Sequence, residues 1–204
     1  MSVHLYRGDL PATVTFSGSV AVDSETTGLS LFRDRLCTVQ LSAGHGDAHI
    51  VQLGGVHGYD CPNLKAVMTD ASILKIFHFA RFDVAMMKRW LHIDITPIYC
   101  TKIASLLART NTERHGLKDV VATQLGIQLD KEQQTSDWAG DHFSDAQLSY
   151  AANDVLYLHQ IKDKLDALLA REGRTALAQK CFEFLPTRAD LDLLDWYNLD
   201  IFAH

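Results

Sequence analysis

Five residues in this sequence have the types and spacing to do chemistry together. Asp23 and Glu25 stand two apart in Val22-Asp-Ser-Glu-Thr-Thr-Gly-Leu29. On a strand, residues i and i+2 point to the same side, so both carboxylates face one way. Asp83 follows in Phe77-His-Phe-Ala-Arg-Phe-Asp83, in the first turn of an expected helix directly after a buried strand. Tyr150 and Asp154 are four apart in Ser149-Tyr-Ala-Ala-Asn-Asp154, a spacing that puts both on one helical face. Carboxylates gathered in one place repel unless a cation joins them. If the fold collects these four, Asp23, Glu25, Asp83 and Asp154 form a site for hard, oxygen-loving divalent ions such as Mg²⁺ or Mn²⁺. Taken singly, each has a plainer reading: a solvated strand end, a helix N-terminal charge, a packed aromatic with a wet hydroxyl.

The elements that must position these groups can be read from the pattern. Thr13 to Phe16, Ser19 to Asp23, Leu36 to Ser42 and His49 to Leu53 read as strands, rich in β-branched residues and broken by a turn at Gly44 and Gly46. Their close succession predicts an antiparallel portion of a mixed sheet. Pro62 opens a short helix to about Met68. Ile73 to His78 is a buried strand, 81–91 a helix, Ile98 to Cys100 a short strand and Lys102 to Ala108 a helix. A further helix from Leu117 closes at Gly126. Ser144 and Gln147 make a capping box for one long helix from Asp145 to about Arg171, with Ala151, Val155, Leu158, Ile161, Leu165 and Leu168 as its core stripe. Strands followed by mixed helices and strands predict an α/β sheet covered by helices. The last stretch, Leu185 to His204, carries Trp196, Tyr197, Ile201 and Phe202 among aspartates. That is too apolar for a disordered tail, so it must pack on the core or on another subunit.

Composition narrows the partners. The chain has 204 residues, one domain's worth. Its formal net charge is −6, with no Lys/Arg run of the kind that tracks long phosphate backbones. A short substrate held at one point fits better. Cys37, Cys61, Cys100 and Cys181 are scattered without a C-x-x-C pair, so structural zinc is not expected. Neither a membrane span nor a secretory leader is expected, and the reading is cytoplasmic.

The order D-x-E, then His-x-x-x-Phe-Asp, then Tyr-x-x-x-Asp resembles the DEDD exonucleases, tyrosine subtype, and within them the ribonuclease D group. Gly116-Leu-Lys-Asp and Lys131-Glu-Gln-Gln-Thr-Ser-Asp-Trp138 also look like that group. The opening Val3-His-Leu, Arg33-Asp-Arg-Leu-Cys37 and the ending Trp196-Tyr-Asn-Leu-Asp-Ile-Phe-Ala-His204 resemble its small oligoribonucleases of alphaproteobacteria, which carry no appended helical RNA-binding domain.

The resemblance implies a ribonuclease H-like mixed β-sheet flanked by helices. Residues 1–170 would be the exonuclease domain and 171–204 a helical, apolar extension of it. It implies two divalent ions, Mg²⁺ or Mn²⁺, held by Asp23, Glu25, Asp83 and Asp154, with Tyr150 orienting the attacking water. The implied substrate is short single-stranded RNA, dinucleotides above all, cut to 5′-mononucleotides by a ring-shaped homo-oligomer, an octamer. Substrate contacts are expected at Thr26, at Leu29 as an apolar wedge between terminal bases, and at His78. Phe79 would stack on a base and Arg81 would hold a phosphate. His115, Gln134 and Trp138 are expected at the rim. Leucine's burial preference gives Leu29 a competing role in the core.

Overall fold

The computed structural model describes residues 2–129 and 136–203. Six strands form one mixed sheet: β1 (Ser2–Arg7), β2 (Ser19–Thr26), β3 (Leu36–Ser42), β4 (Asp47–Gln52), β5 (Leu74–Phe77) and β6 (Ile98–Cys100), in the order β1-β4-β3-β2-β5-β6. The β2–β3 and β3–β4 pairs are antiparallel, while β1–β4, β2–β5 and β5–β6 are parallel. This is the mixed α/β sheet with flanking helices that the ribonuclease H-like reading requires. Strand β3 lies mid-sheet and is buried at every position. Around it packs a core that includes Val20, Val22, Val39, Leu41, Ile76 and Phe77.

Among the described residues seven α-helices cover the sheet: α1 (Pro62–Thr69), α2 (Ala80–Leu91), α3 (Thr101–Ala108), α4 (Leu117–Leu125), α5 (Asp145–Leu156), α6 (Leu158–Arg171) and α7 (Thr175–Leu193). Their ends follow local chemistry. Pro62 opens α1, where its missing N–H costs nothing. Gly126, at φ 73°, closes α4 in the left-handed conformation that glycine adopts without strain. Ser144 and Gln147 satisfy each other's backbone at the start of α5 as a capping box.

Two expectations are corrected. Thr13 to Phe16 is not a strand. The segment leads from β1 to β2, which lie three places apart in the sheet. It must therefore cross other strands and finds no ladder partner. The first strand is instead Ser2–Arg7, whose alternation is masked by His4 and Tyr6. The single helix expected from Asp145 to about Arg171 is two, divided at Tyr157. The apolar stripe runs through the break because both halves bury it, but on different partners. Helix α5 lies on β2, β3 and β4, and α6 lies on α3 and α4. The helical part of the C-terminal extension is α7, which packs along α2 and β6.

Candidate active site

Strand β2 ends at the mouth of a cleft of about 620 Å³. Asp23 and Glu25 project from one face of that strand, beneath α5, which brings Asp154 and Tyr150 from one helical face. A ligand oxygen from each of Asp23, Glu25 and Asp154 lies within 4.8 Å of the others. Asp83, in the first turn of α2, lines the same cleft. Its carboxylate is held by Ser24, whose hydroxyl donates to Asp83 Oδ1 at 2.5 Å. Ser24 has the opposite parity to Asp23 and Glu25, so β2 serves both sides of the site. The β2–β3 register shifts between Glu25 and Thr26, an irregularity that turns the strand end out of the ladder.

Burial and mutual repulsion set the electrostatics of the cluster. Burial, and then repulsion from Asp83, Asp154 and Glu25, pushes the Asp23 carboxyl well above the usual range. Glu25 is pushed up to about 9 by burial and then by Asp154 and Asp83. Asp83 rises to about 7 through burial, opposed by the Ser24 hydroxyl. Tyr150, hydrogen-bonded to Asp154, is raised by burial and by the carboxylates around it. A phenol so placed is a poor base and a good orienting group. Four oxygen-donor side chains that cannot all ionise together suit a hard divalent cation.

The other expected residues divide. Thr26 lines the cleft and turns its hydroxyl to the Gly28 carbonyl at 2.6 Å. Leu29 is 85% exposed, which corrects its competing reading as a core residue. It stands at the tip of a braced loop. Asp34 Oδ2 accepts from the Ser30 N–H, Arg89 of α2 donates to the Phe32 carbonyl, and Trp90 donates to the Asp34 carbonyl. A Cβ on Gly28 would lie 2.4 Å from Asp34 Oδ2, so a side chain there would push aside the carboxylate that holds Ser30. His78 lines the cleft with Nδ1 2.9 Å from the Thr101 hydroxyl, and burial lowers its pKa to about 3. It is therefore neutral. Phe79 is half-exposed at the N-cap of α2, at φ 68°, a costly conformation for a bulky residue and one that collects at working sites. Trp138 is buried in the wall against Phe143 and Tyr150.

Three fall elsewhere. Arg81 does not line the carboxylate cleft; Asp192, buried and in need of positive partners, takes its guanidinium at 2.7 Å. His115 is not at the rim. It is buried and bound to the Ser105 hydroxyl and the Thr112 carbonyl. Gln134 lies outside the described residues. Sequence reasoning missed Ser24 and Lys102. Lys102 lines the cleft with its ammonium 3.9 Å from the centre of the Phe79 ring. It stands two residues beyond β6, at the carboxyl end of a strand where α/β proteins place sites, and that position was the available signal.

Comparison with known proteins decides the family. Residues 10–170 match the family model described as 3'-5' exonuclease. The chain belongs to this 3′→5′ exonuclease family. Its DEDD, tyrosine-type residues are thus found in a family member with the matching fold. Two solved structures of Brucella melitensis NrnC (nanoRNase C) are similar along its whole length. The one bound to pGG is 48% identical at a TM-score of 0.96, covering 100% of this chain and 99% of that one. The one with bound Mg²⁺ is 47% identical at 0.95, covering 100% of both. Ribonuclease D of Acidiphilium cryptum is 31% identical over 155 residues, which is 76% of this chain and 39% of that protein. The chain thus spans well under half the length of such curated relatives. Among the described residues no helix is long and apolar enough to cross a membrane.

Proposed function

We propose that this family member is a metal-dependent 3′→5′ exoribonuclease that hydrolyses very short RNA, dinucleotides included, to 5′-mononucleotides. The observation that carries the reading is the convergence of Asp23, Glu25 and Asp154 oxygens within 4.8 Å, beside Asp83 and Tyr150. The likeness to NrnC bound to pGG supports a dinucleotide as substrate.

Asp23, Glu25, Asp83 and Asp154 would hold two divalent ions, Mg²⁺ or Mn²⁺. Such ions supply a nucleophile at neutral pH and charge relief on the phosphoryl oxygens. The chain's own groups do the rest. Tyr150 orients the attacking water by a hydrogen bond, since its raised pKa opposes proton removal. Ser24 keeps Asp83 turned into the site. Leu29, exposed at its loop tip, separates the terminal bases, Phe79 stacks on one, and Lys102 faces the phosphate. Water attack on the last phosphodiester releases the 3′-terminal nucleotide as a 5′-monophosphate.

We also propose that residues 171–204 extend the catalytic domain and that the protein is a cytoplasmic homo-oligomer, the ring of eight that the resemblance implies. Four cysteines without a disulfide support a reducing compartment. Trp196, Leu199, Ile201 and Phe202 are exposed in the single chain, which supports burial against another copy.

The test is a time course on 5′-labelled RNAs of two, three, five and ten nucleotides, with Mn²⁺ or with EDTA. Metal-dependent cleavage fastest on the dinucleotide is the expected result. Faster processing of the ten-mer would move the function to general RNA trimming, and no cleavage at any length would leave a nucleotide-binding module.

A further inference from the structure

The sheet face beneath α5 carries a row of buried polar side chains beside the carboxylates. In the β2–β3 ladder Asp23 pairs with Gln40, and Glu25 pairs with Thr38. In the next ladder Thr38 pairs with Gln52. Directly opposed residues of an antiparallel pair put their side chains on one face, about 5 Å apart at Cβ. Gln40 and Thr38 therefore stand next to Asp23 and Glu25 on the face those carboxylates use. Ile50, the partner of Gln40 in β4, clusters with Trp138 and Ala151, which sets the row under α5. Gln40 and Thr38 are fully buried, and Gln52 nearly so. A buried carboxamide is costly unless its polar atoms find partners.

The two glutamines differ in how firmly their amides are oriented. Gln52 Nε2 donates to the Gly140 carbonyl at 2.9 Å. A carbonyl only accepts, so that amide has one orientation, although its Oε1 is unpartnered among the described residues. Gln40 Nε2 donates to Thr38 Oγ1 at 2.6 Å, and its Oε1 is likewise buried and unpartnered among the described residues. A threonine hydroxyl either accepts or donates, and turning a carboxamide over exchanges its oxygen and nitrogen with almost no change of shape. Turned over, the Gln40 amide accepts from Thr38 through Oε1 and puts its NH₂ where the orphaned oxygen stood. The surroundings favour that form. Gln40 reaches along β3 to Thr38, so its amide lies between the levels of Asp23 and Glu25. An oxygen there sets like against like, and an N–H is a donor to a carboxylate.

We propose that Gln40 is a positioning residue of the metal site: Thr38 donates to its Oε1, and its amide N–H donates to Asp23 and holds that carboxylate toward the cation. The inference rests on the metal-dependent reading of the cleft and adds to it a support that lies outside the four ligands.

Mn²⁺ binding in the absence of substrate tests this, read by the electron paramagnetic resonance of free Mn²⁺. Gln40→Met keeps the bulk of the side chain and loses the donor. Its Kd for Mn²⁺ should rise roughly 10–100-fold, the effect of removing a group that orients a metal ligand. Its melting temperature in EDTA should hold or rise, because a buried amide with an orphaned end has gone. A packing role alone gives the reverse, a lower melting temperature in EDTA with the Kd unmoved. Thr38→Val removes the hydroxyl that orients the amide and should raise the Kd by a smaller factor. An unchanged Kd in Gln40→Met overturns the proposal, and if that variant fails to fold, an unchanged Kd in Thr38→Val does so. A wild-type chain that binds no Mn²⁺ defeats the metal-dependent reading itself, and the role of Gln40 with it.

Discussion

Ser24 and Asp83 are joined by a buried hydrogen bond of 2.5 Å across 59 positions of sequence. The serine sits between two acidic residues on β2, and the aspartate comes from the first turn of α2. The bond stabilises the ionised carboxylate, the form a cation requires.

Ser24→Ala should therefore weaken metal use without removing any metal donor. A buried hydrogen bond to a charged group contributes about 1.5–3 kcal/mol. The Mn²⁺ concentration for half-maximal hydrolysis should rise about tenfold or more. A metal titration of dinucleotide cleavage checks this, and an unshifted half-point would remove Ser24 from the site.

Asp154→Asn should abolish hydrolysis in Mg²⁺ and yet raise the melting temperature measured in EDTA. Asp154 adds to the repulsion on both Asp23 and Glu25, and the amide ends that repulsion while keeping the shape. Unchanged turnover would sink the metal assignment. A lower melting temperature in EDTA would show that repulsion is not the governing effect.

The metal-free protein should lose stability as pH rises. Glu25 and Asp83 have folded values of about 9 and about 7, against about 4 in an unfolded chain. Between those values the folded state holds more protons, so the stabilising contribution is complete below pH ~4 and lost as pH climbs through the folded values. Melting in EDTA should shift down from pH 5 to pH 9, and excess Mn²⁺ should flatten or reverse the slope. An EDTA curve that rises with pH over this window would contradict the burial of the cluster.

Tyr150→Phe should slow hydrolysis about a hundredfold, within the range for a positioned proton-handling group, with little change in fold. The ring still packs on Trp138, 6.2 Å away between centroids. Single-turnover rates on the dinucleotide would decide, and equal rates would remove the hydroxyl from the mechanism.

Much of this was legible from spacing. Asp23 and Glu25 at strand parity, Tyr150 and Asp154 at helical spacing, and the capping box at Ser144 are local rules, and the chain obeys them. What was hidden depends on distant partners. Arg81 looks like a phosphate ligand beside Asp83 until Asp192, 111 positions later, takes it. Thr13 to Phe16 has strand composition, but the sheet order gives it nothing to pair with. The division at Tyr157 is invisible because the apolar stripe continues through it, while the partners change from β2, β3 and β4 for α5 to chiefly α3 and α4 for α6.

The close approach of Gly28 to Asp34 bears on how fast and how tightly a substrate can be taken up. The loop between them is fastened at both ends and tied to α2 through Arg89 and Trp90. The backbone that carries the exposed Leu29 is thus braced by the fold, which would lower the ordering cost of association. Two nucleotides have little surface with which to offset such an entropy loss. In the proposed reading, so braced a tip would suit a substrate of only two nucleotides.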